Sequence, residues 1–264
     1  MKKLACAISL IVIMLALQAH EFWLEPMKFR LQPGEATTIK FAVGDNFTGG
    51  DWDLSRHKAA QVILHENDKI VDLTSKVPSV KGEKLKLTMN NSGVKMLAMS
   101  SNQAFIKLNG KQFNEYLKSD GLEEAIAWRS KNKQDTLGAK EFYTRYAKLL
   151  LQVGDKVDNT WSKIIGQRLE VIPLQNPNGI KSGDYLTCKL LYEGKPSPHT
   201  MVKVWGHVGN KIFLQEAYTE DDGTVKFPIS ANGPWMVSAV KMVRSKNPKA
   251  DWESSWASLL FSVE

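Results

Sequence analysis

Apolar and polar positions alternate over much of the first part of the chain. Ala36–Val43 is rich in β-branched residues and follows the turn Pro33-Gly34, a pattern typical of a strand. Val62–Glu66 and Ile70–Leu73 flank a short polar segment, which predicts a hairpin. Together with similar segments further on, these patterns predict a series of strands from about residue 29 to residue 109.

The spacing of apolar residues changes after residue 110. Lys111–Ser130 places its apolar residues at helical spacings on both sides of a break at Ser119-Asp120-Gly121. In Ala139–Val153 the apolar residues recur three and four positions apart, and Glu141 and Arg145 have the spacing of a helical ion pair. These spacings predict helices. We therefore expect residues 111–165 to form a helical insertion.

Short alternating segments return from Gln167 to the end of the chain. The predicted strands include 168–174, 185–192, 201–208, 211–218, 225–227, 235–243 and 258–263. About seven short strands within about 100 residues are typical of an immunoglobulin-like sandwich. The predicted fold is mainly β, with two β-sandwich units over residues 20–110 and 166–264. The C-terminal unit is immunoglobulin-like, and the helical insertion lies between the two.

Residues 1–19 have the pattern of a secretory signal peptide. Lys2 and Lys3 precede the apolar segment Leu4–Leu17, and Ala19 supplies a small residue for cleavage. The apolar segment is shorter than the roughly 20 residues that a membrane-spanning helix needs. We therefore predict export to the periplasm, without membrane insertion after cleavage. A cut after Ala19 would give a mature chain that begins with His20.

Composition narrows the functional classes. The apolar fraction of 43% and the eight tryptophans suit a packed, soluble protein. Loss of Lys2 and Lys3 lowers the formal net charge from +7 to +5, and the remaining basic residues are interleaved with acids. This distribution argues against a nucleic-acid-binding protein. Cys188 is the only cysteine outside the leader, so the mature chain cannot form an internal disulfide. Scattered tryptophans favour packing over carbohydrate stacking.

The five histidines lack the short spacings of a local metal motif. His20 is the strongest candidate ligand, because an N-terminal histidine offers both an α-amine and an imidazole. The amine has a pKa of about 7.7 and loses its proton readily enough to bind a metal ion near neutral pH. His207 lies near the end of the predicted strand 201–208, after Trp205 and a glycine. It is the leading second ligand, although an exposed strand histidine is the commoner outcome. We expect His57, His65 and His199 to be surface or loop residues.

Two acidic residues complete the set of candidate ligands. Asp251 and Glu253 lie two positions apart and offer oxygen donors, although such a pair is more often the solvated start of a strand. No nucleophile elbow, cysteine–histidine pair or distinctive carboxylate pair is present in the sequence. We therefore predict a protein that is not an enzyme.

Six segments of the sequence, taken in order, are similar to segments of one known family. They begin with Ala19–Pro26 and Val43–Gly49 and continue through Glu141–Leu149. The later segments are Leu191–Pro196, Thr219–Gly223 and Asp251–Phe261. As an ordered set they resemble the domain of unknown function 4198 family. The resemblance implies an exported β-sandwich protein linked to nickel or cobalt uptake.

Three functional hypotheses follow. The first is periplasmic binding of a divalent transition metal at His20 and His207. Nitrogen donors suit nickel or cobalt, and copper is also possible. The metal would be delivered to a membrane transporter or an outer-membrane receptor. The second is a structural or interaction module that binds a protein or glycan at the cell envelope. The third is a copper-dependent oxidase that uses the N-terminal histidine.

Overall fold

The computed structural model describes residues 21–209 and 211–264. Its first nine strands are β1 (Glu21–Pro26), β2 (Arg30–Leu31), β3 (Glu35–Asp45), β4 (Thr48–Asp51), β5 (Ala59–Glu66), β6 (Lys69–Asp72), β7 (Leu85–Met89), β8 (Gly93–Ser101) and β9 (Ala104–Leu108). Two helices follow, α1 (Gly110–Ser119) and α2 (Glu123–Lys131). The remaining strands are β10 (Ala139–Val153), β11 (Leu169–Pro173), β12 (Tyr185–Tyr192), β13 (Lys195–Pro196), β14 (Met201–Val208), β15 (Lys211–Tyr218), β16 (Thr224–Pro228), β17 (Gly233–Arg244) and β18 (Trp252–Val263).

The strands form one large sheet between two smaller ones. The large sheet has the order β15-β14-β17-β18-β10-β8-β5-β6, and β2 and β9 also pair with β10. In the first small sheet β3 pairs with β1, β4 and β7, and in the second β12 pairs with β11, β13 and β16. One apolar core packs the first small sheet on one face of the large sheet. A second core packs the other small sheet on the opposite face.

The mainly β prediction is confirmed, since strands contain 53% of the residues and helices 12%. The several sheets are consistent with β-sandwich units. The predicted strands are present, and the predicted helical segment after residue 110 is the pair α1 and α2, which ends and restarts around the expected break. Asn109 begins α1 with a capping box, in which its side chain accepts from Gln112 N at 2.9 Å.

The helix predicted over Ala139–Val153 is wrong, because this segment is the 15-residue strand β10. β10 lies inside the large sheet, parallel to β18 and antiparallel to β8 and β9. Leu149 and Leu151 enter one core while Leu150 enters the other. A strand that is buried on both faces gives a continuous apolar run, which periodicity cannot distinguish from a buried helix.

The two predicted β units therefore share the large sheet. β5, β6 and β8 come from the first half of the chain, and β14, β15, β17 and β18 come from the second half. β10, within the expected insertion, joins the two groups. The boundaries proposed between domains remain a prediction.

Candidate metal site at the start of the first strand

β1 is anchored on both of its faces. Phe22, Trp23 and Leu24 are all nearly inaccessible to solvent. The Phe22 ring lies edge-on to Trp52 at 4.9 Å, and Trp23 lies edge-on to Phe47 at 5.5 Å. These contacts anchor β1 and fix the position of Glu21, the first described residue.

The hairpin between β3 and β4 lies at the end of the sheet where β1 begins. Glu21 pairs with Gly44, and beyond this pair Asp45 and Thr48 close the hairpin. Phe47, at the hairpin tip, has a φ of 51°. This left-handed conformation is uncommon for a large residue, and it places the Phe47 carbonyl where another strand can reach it.

His207, on β14, meets this hairpin tip. Its Nε2 lies 3.2 Å from the carbonyl oxygen of Phe47, and the two rings are edge-on at 4.8 Å. If Nε2 carries the proton and donates to the carbonyl, Nδ1 keeps its lone pair. His207, the predicted second ligand, therefore lies beside the end of the first small sheet at which β1 starts.

A buried charge network lies beside His207 on the same strand. Lys203 Nζ lies 2.6 Å from Asp120 Oδ1 and 3.5 Å from Glu21 Oε1. Burial raises the pKa of Glu21 and of Asp120 above their ordinary values. Burial alone would lower the pKa of Lys203, but the two neighbouring carboxylates outweigh it and the pKa is raised. Lys203 thus ties the start of β1 to the end of α1.

A small pocket opens next to this network. Its lining includes Glu21, Asp120, Lys203, Arg145 and Trp256. The Arg145 guanidinium stacks on the Trp256 ring at 5.5 Å. Two acids and two bases face the pocket, so their formal charges balance.

Glu141 is buried near this pocket and binds residues from two other elements. Tyr116 donates to Glu141 Oε1 at 3.0 Å, and the Ser254 hydroxyl donates to the same oxygen. The second oxygen, Oε2, is buried without a hydrogen-bond partner among the described residues. Burial raises the pKa of Glu141 to about 7. Glu141 and Arg145 therefore serve different contacts and do not form the helical ion pair expected from their spacing.

The other histidines have separate environments. His20 lies outside the described residues. His57 stacks on Trp52 at 5.6 Å, and His199 Nε2 lies 3.1 Å from Asp221 Oδ1 at the surface. The expectation that His65 is a surface residue is wrong, because its exposure is only 8%.

Asp251 and Glu253 have structural contacts. Asp251 Oδ2 accepts from the backbone N–H of Lys140 at 2.8 Å. Glu253 accepts from Arg168 at 3.2 Å and from Ser245 at 2.9 Å. Both carboxylates thus hold neighbouring segments together.

The part of the chain that the structure describes contains no cluster of three or more histidine, cysteine, aspartate or glutamate residues that could hold a metal. Of the two predicted ligands, the described residues contain His207 alone. A site at this end of the sheet would need further donors from outside the described residues. Within the described residues no helix is long and apolar enough to cross a membrane.

The sequence predictions missed the network around Lys203 and the burial of Glu141. Lys203 carried one available signal, because it is a charged residue within the apolar strand 201–205. Asp120 and Glu141 carried none. Their partners come from elements distant in sequence, and Glu141 was assigned to a helix.

The fold and the site define a multi-sheet, mainly β protein with a buried charge network at the start of its first strand. The chain belongs to the family described as Domain of unknown function (DUF4198), whose model matches residues 17–242. No curated protein matches the chain.

Two solved structures are similar over most of the chain. A tetra-tandem repeat from the extending region of a large adhesion protein has 9% identity and a TM-score of 0.23 over 93% of this chain. This chain spans 50% of that structure. The three N-terminal domains of the bacteriophage RB49 outer capsid protein Hoc have 8% identity and a TM-score of 0.22. That match covers 93% of this chain and 70% of the capsid protein chain.

Proposed function

We propose that this protein is an exported, non-catalytic binding protein for a divalent transition-metal ion. Nickel or cobalt is the first choice and copper the next, and the ion is delivered to a membrane transport system from the periplasm. The observation that carries the proposal is the position of His207 at the end of the sheet where β1 begins. Glu21, which follows His20 directly in the sequence, is buried at the same end.

The hydrogen bond of His207 fits a ligand histidine. Metal-binding histidines usually donate their second ring N–H to a carbonyl or carboxylate, which orients the ring and fixes the tautomer. The Phe47 carbonyl, at 3.2 Å from Nε2, supplies this support. Nδ1 is then the donor atom for the metal.

The N-terminal residue supplies the remaining nitrogen donors. His20 contributes its α-amine and its imidazole once the leader is removed, so that with His207 three nitrogens are available. Nitrogen donors of this kind suit nickel, copper and zinc better than magnesium or calcium. The network of Lys203, Asp120 and Glu21 supports the site by fixing the residue that follows His20.

The test compares mature protein that begins at His20 with a variant that carries one additional N-terminal residue. Nickel, cobalt and copper are titrated into each, and the metal stoichiometry and the melting temperature are measured, since a ligand of the native state raises the melting temperature. We expect tight binding only when His20 is first. Equal binding by both forms, or by neither, would contradict the proposal, and absence of binding would favour the structural or interaction module.

Two histidine substitutions distinguish metal binding by His207 from nonspecific binding to surface histidines. His207→Ala should weaken binding and reduce the melting-temperature shift caused by the metal. His199→Ala is the matched control, because His199 is exposed and its ring pairs with Asp221 at the surface. Equal effects of the two substitutions would show that His207 is not a ligand.

A further inference from the structure

A cavity lies on the face of the large sheet opposite to His207. Its floor is formed by Ile63 and His65 on β5 and by Ala98 on β8, with Ile63 paired to Ala98 in the sheet. Residues 165–168 form a wall. The cavity has a volume of about 530 Å³, which is within the range of small-molecule sites.

Buried contacts hold this wall against the sheet. Lys148 and Glu170 form an ion pair at 2.6 Å, with side-chain exposures of 2% and 1%. The Glu170 carboxylate also accepts from the backbone N–H groups of Ile165 at 2.7 Å and Gly166 at 3.0 Å. Gln167 Nε2 donates to the carbonyl of Met99 at 2.9 Å. The cavity is therefore preformed.

His65 lines this cavity with unused hydrogen-bonding capacity. It is more than nine-tenths buried, and neither ring nitrogen has a hydrogen-bond partner among residues 21–209 and 211–264. Burial lowers the pKa of His65, and the positive charges of Lys163 and Lys148 act in the same direction. The imidazole is therefore neutral near pH 7 and presents one donor and one acceptor nitrogen. Neither nitrogen is among the buried, unpartnered polar atoms of the described residues, so both are accessible from the cavity and can exchange hydrogen bonds with a bound ligand.

The charged groups around the cavity already have partners. Arg168, in the wall, binds Glu193 at 3.0 Å and Glu253 at 3.2 Å. Lys163 Nζ donates to the backbone carbonyl of Asn67. A charged ligand would have to compete with these contacts, whereas a neutral ligand would leave them intact. Ile63, Ile70 and Ile165 provide the apolar lining.

We propose that this cavity binds a neutral organic molecule with an apolar ring or chain and a hydroxyl group that donates to His65. The apolar part packs between the isoleucines of the sheet and of the wall. Tyr146 and Ser100 also line the cavity and give polar contacts at its edge. This site shares no donor with the metal site proposed above and stands independently of it.

The test uses phenol as the probe, with benzoate and benzylamine as anionic and cationic molecules of similar size. The ring resonances of ¹³C-labelled histidines are followed by NMR as each probe is added. Phenol should shift the His65 resonance saturably and leave that of His199 unchanged. Stronger binding of benzoate or benzylamine, or no saturable response of His65 to phenol, would overturn the proposal.

Three substitutions test the geometry. His65→Phe should lower the affinity for phenol about tenfold, as expected for one lost hydrogen bond, while His65→Gln keeps an acceptor and should retain part of the affinity. Ala98→Leu should fill the floor and weaken binding even where His65→Phe does not fold. Circular dichroism establishes which variants fold. Unchanged affinity in folded Ala98→Leu protein would place the probe elsewhere.

Discussion

Replacement of Lys148 by methionine tests the buried ion pair that joins the large sheet to β11. Lys148 lies on β10 and Glu170 on β11, and both side chains are almost inaccessible to solvent. Methionine has a similar length and suits the apolar surroundings, so Lys148→Met mainly removes a charge. The substitution leaves the Glu170 carboxylate buried without its cation.

The expected loss of stability follows from this geometry. At 2.6 Å the Coulomb attraction is about 6 kcal/mol for an effective dielectric constant of about 20, and the cost of desolvating both ions offsets much of it. Removing one partner of a buried pair typically costs about 3–5 kcal/mol. Glu170 keeps two backbone N–H donors, from Ile165 and Gly166, and we therefore expect a loss at the lower end of this range. We expect Lys148→Met to lower the free energy of unfolding by about 3 kcal/mol.

Urea unfolding followed by tryptophan fluorescence measures this change. Lys140→Met is the matched control, because Lys140 is an exposed residue of the same strand, and it should change the stability by less than about 0.5 kcal/mol. Lys148→Met combined with Glu170→Gln should recover much of the loss, because no uncompensated charge remains. A loss no larger than that of Lys140→Met, or no recovery in the double variant, would refute the reasoning.

Three further outcomes are expected. The pKa of Glu141 is raised from 4.5 to about 7, so its contribution to stability is complete below pH 4.5 and decreases as the pH rises to 7. Glu141→Gln should remove this decrease, on the order of 3 kcal/mol, in urea unfolding at several pH values. Gly49→Ala places a Cβ 2.5 Å from the Trp23 ring and should lower the free energy of unfolding by about 1–3 kcal/mol. Gly50→Ala meets no atom within 4 Å and should show little change. Burial raises the pKa of the Cys188 thiol, so a thiol reagent should label it only after unfolding; rapid labelling of native protein would contradict this burial.

β10 shows how far the sequence pattern could predict the fold. Alternation identified the strands with one face against a core and the other towards solvent. β10 instead sends Leu149 and Leu151 to one core and Leu150 to the other, and even Lys148 is buried among them. β10 therefore has no polar face, and its sequence lacks the alternation of apolar and polar residues that identifies a strand. A helical interpretation matched the same spacings, because only the partners of the strand distinguish the alternatives.

The candidate site shows a different limit. His207 could be selected from the sequence because histidine is a common metal ligand and its strand was predicted correctly. The pairing of Lys203 with Asp120 could not be predicted from the sequence, because the two residues lie 83 positions apart. His65 alternates with Ile63 on a predicted strand, which suggested exposure. The segment 165–168 covers that face, and no local pattern indicates which loop will cover a strand.

The large sheet separates the two proposed sites, and this separation makes a prediction of its own. Trp205, between Lys203 and His207 on β14, belongs to the core shared with the first small sheet. Met96, which pairs with His65, belongs to the core on the other face. Because the sites have no donor in common, nickel bound at the start of the chain should leave the His65 resonance and the phenol affinity unchanged. A reciprocal change in the two affinities would reveal coupling through the sheet, and the sites would then have to be treated as one linked system.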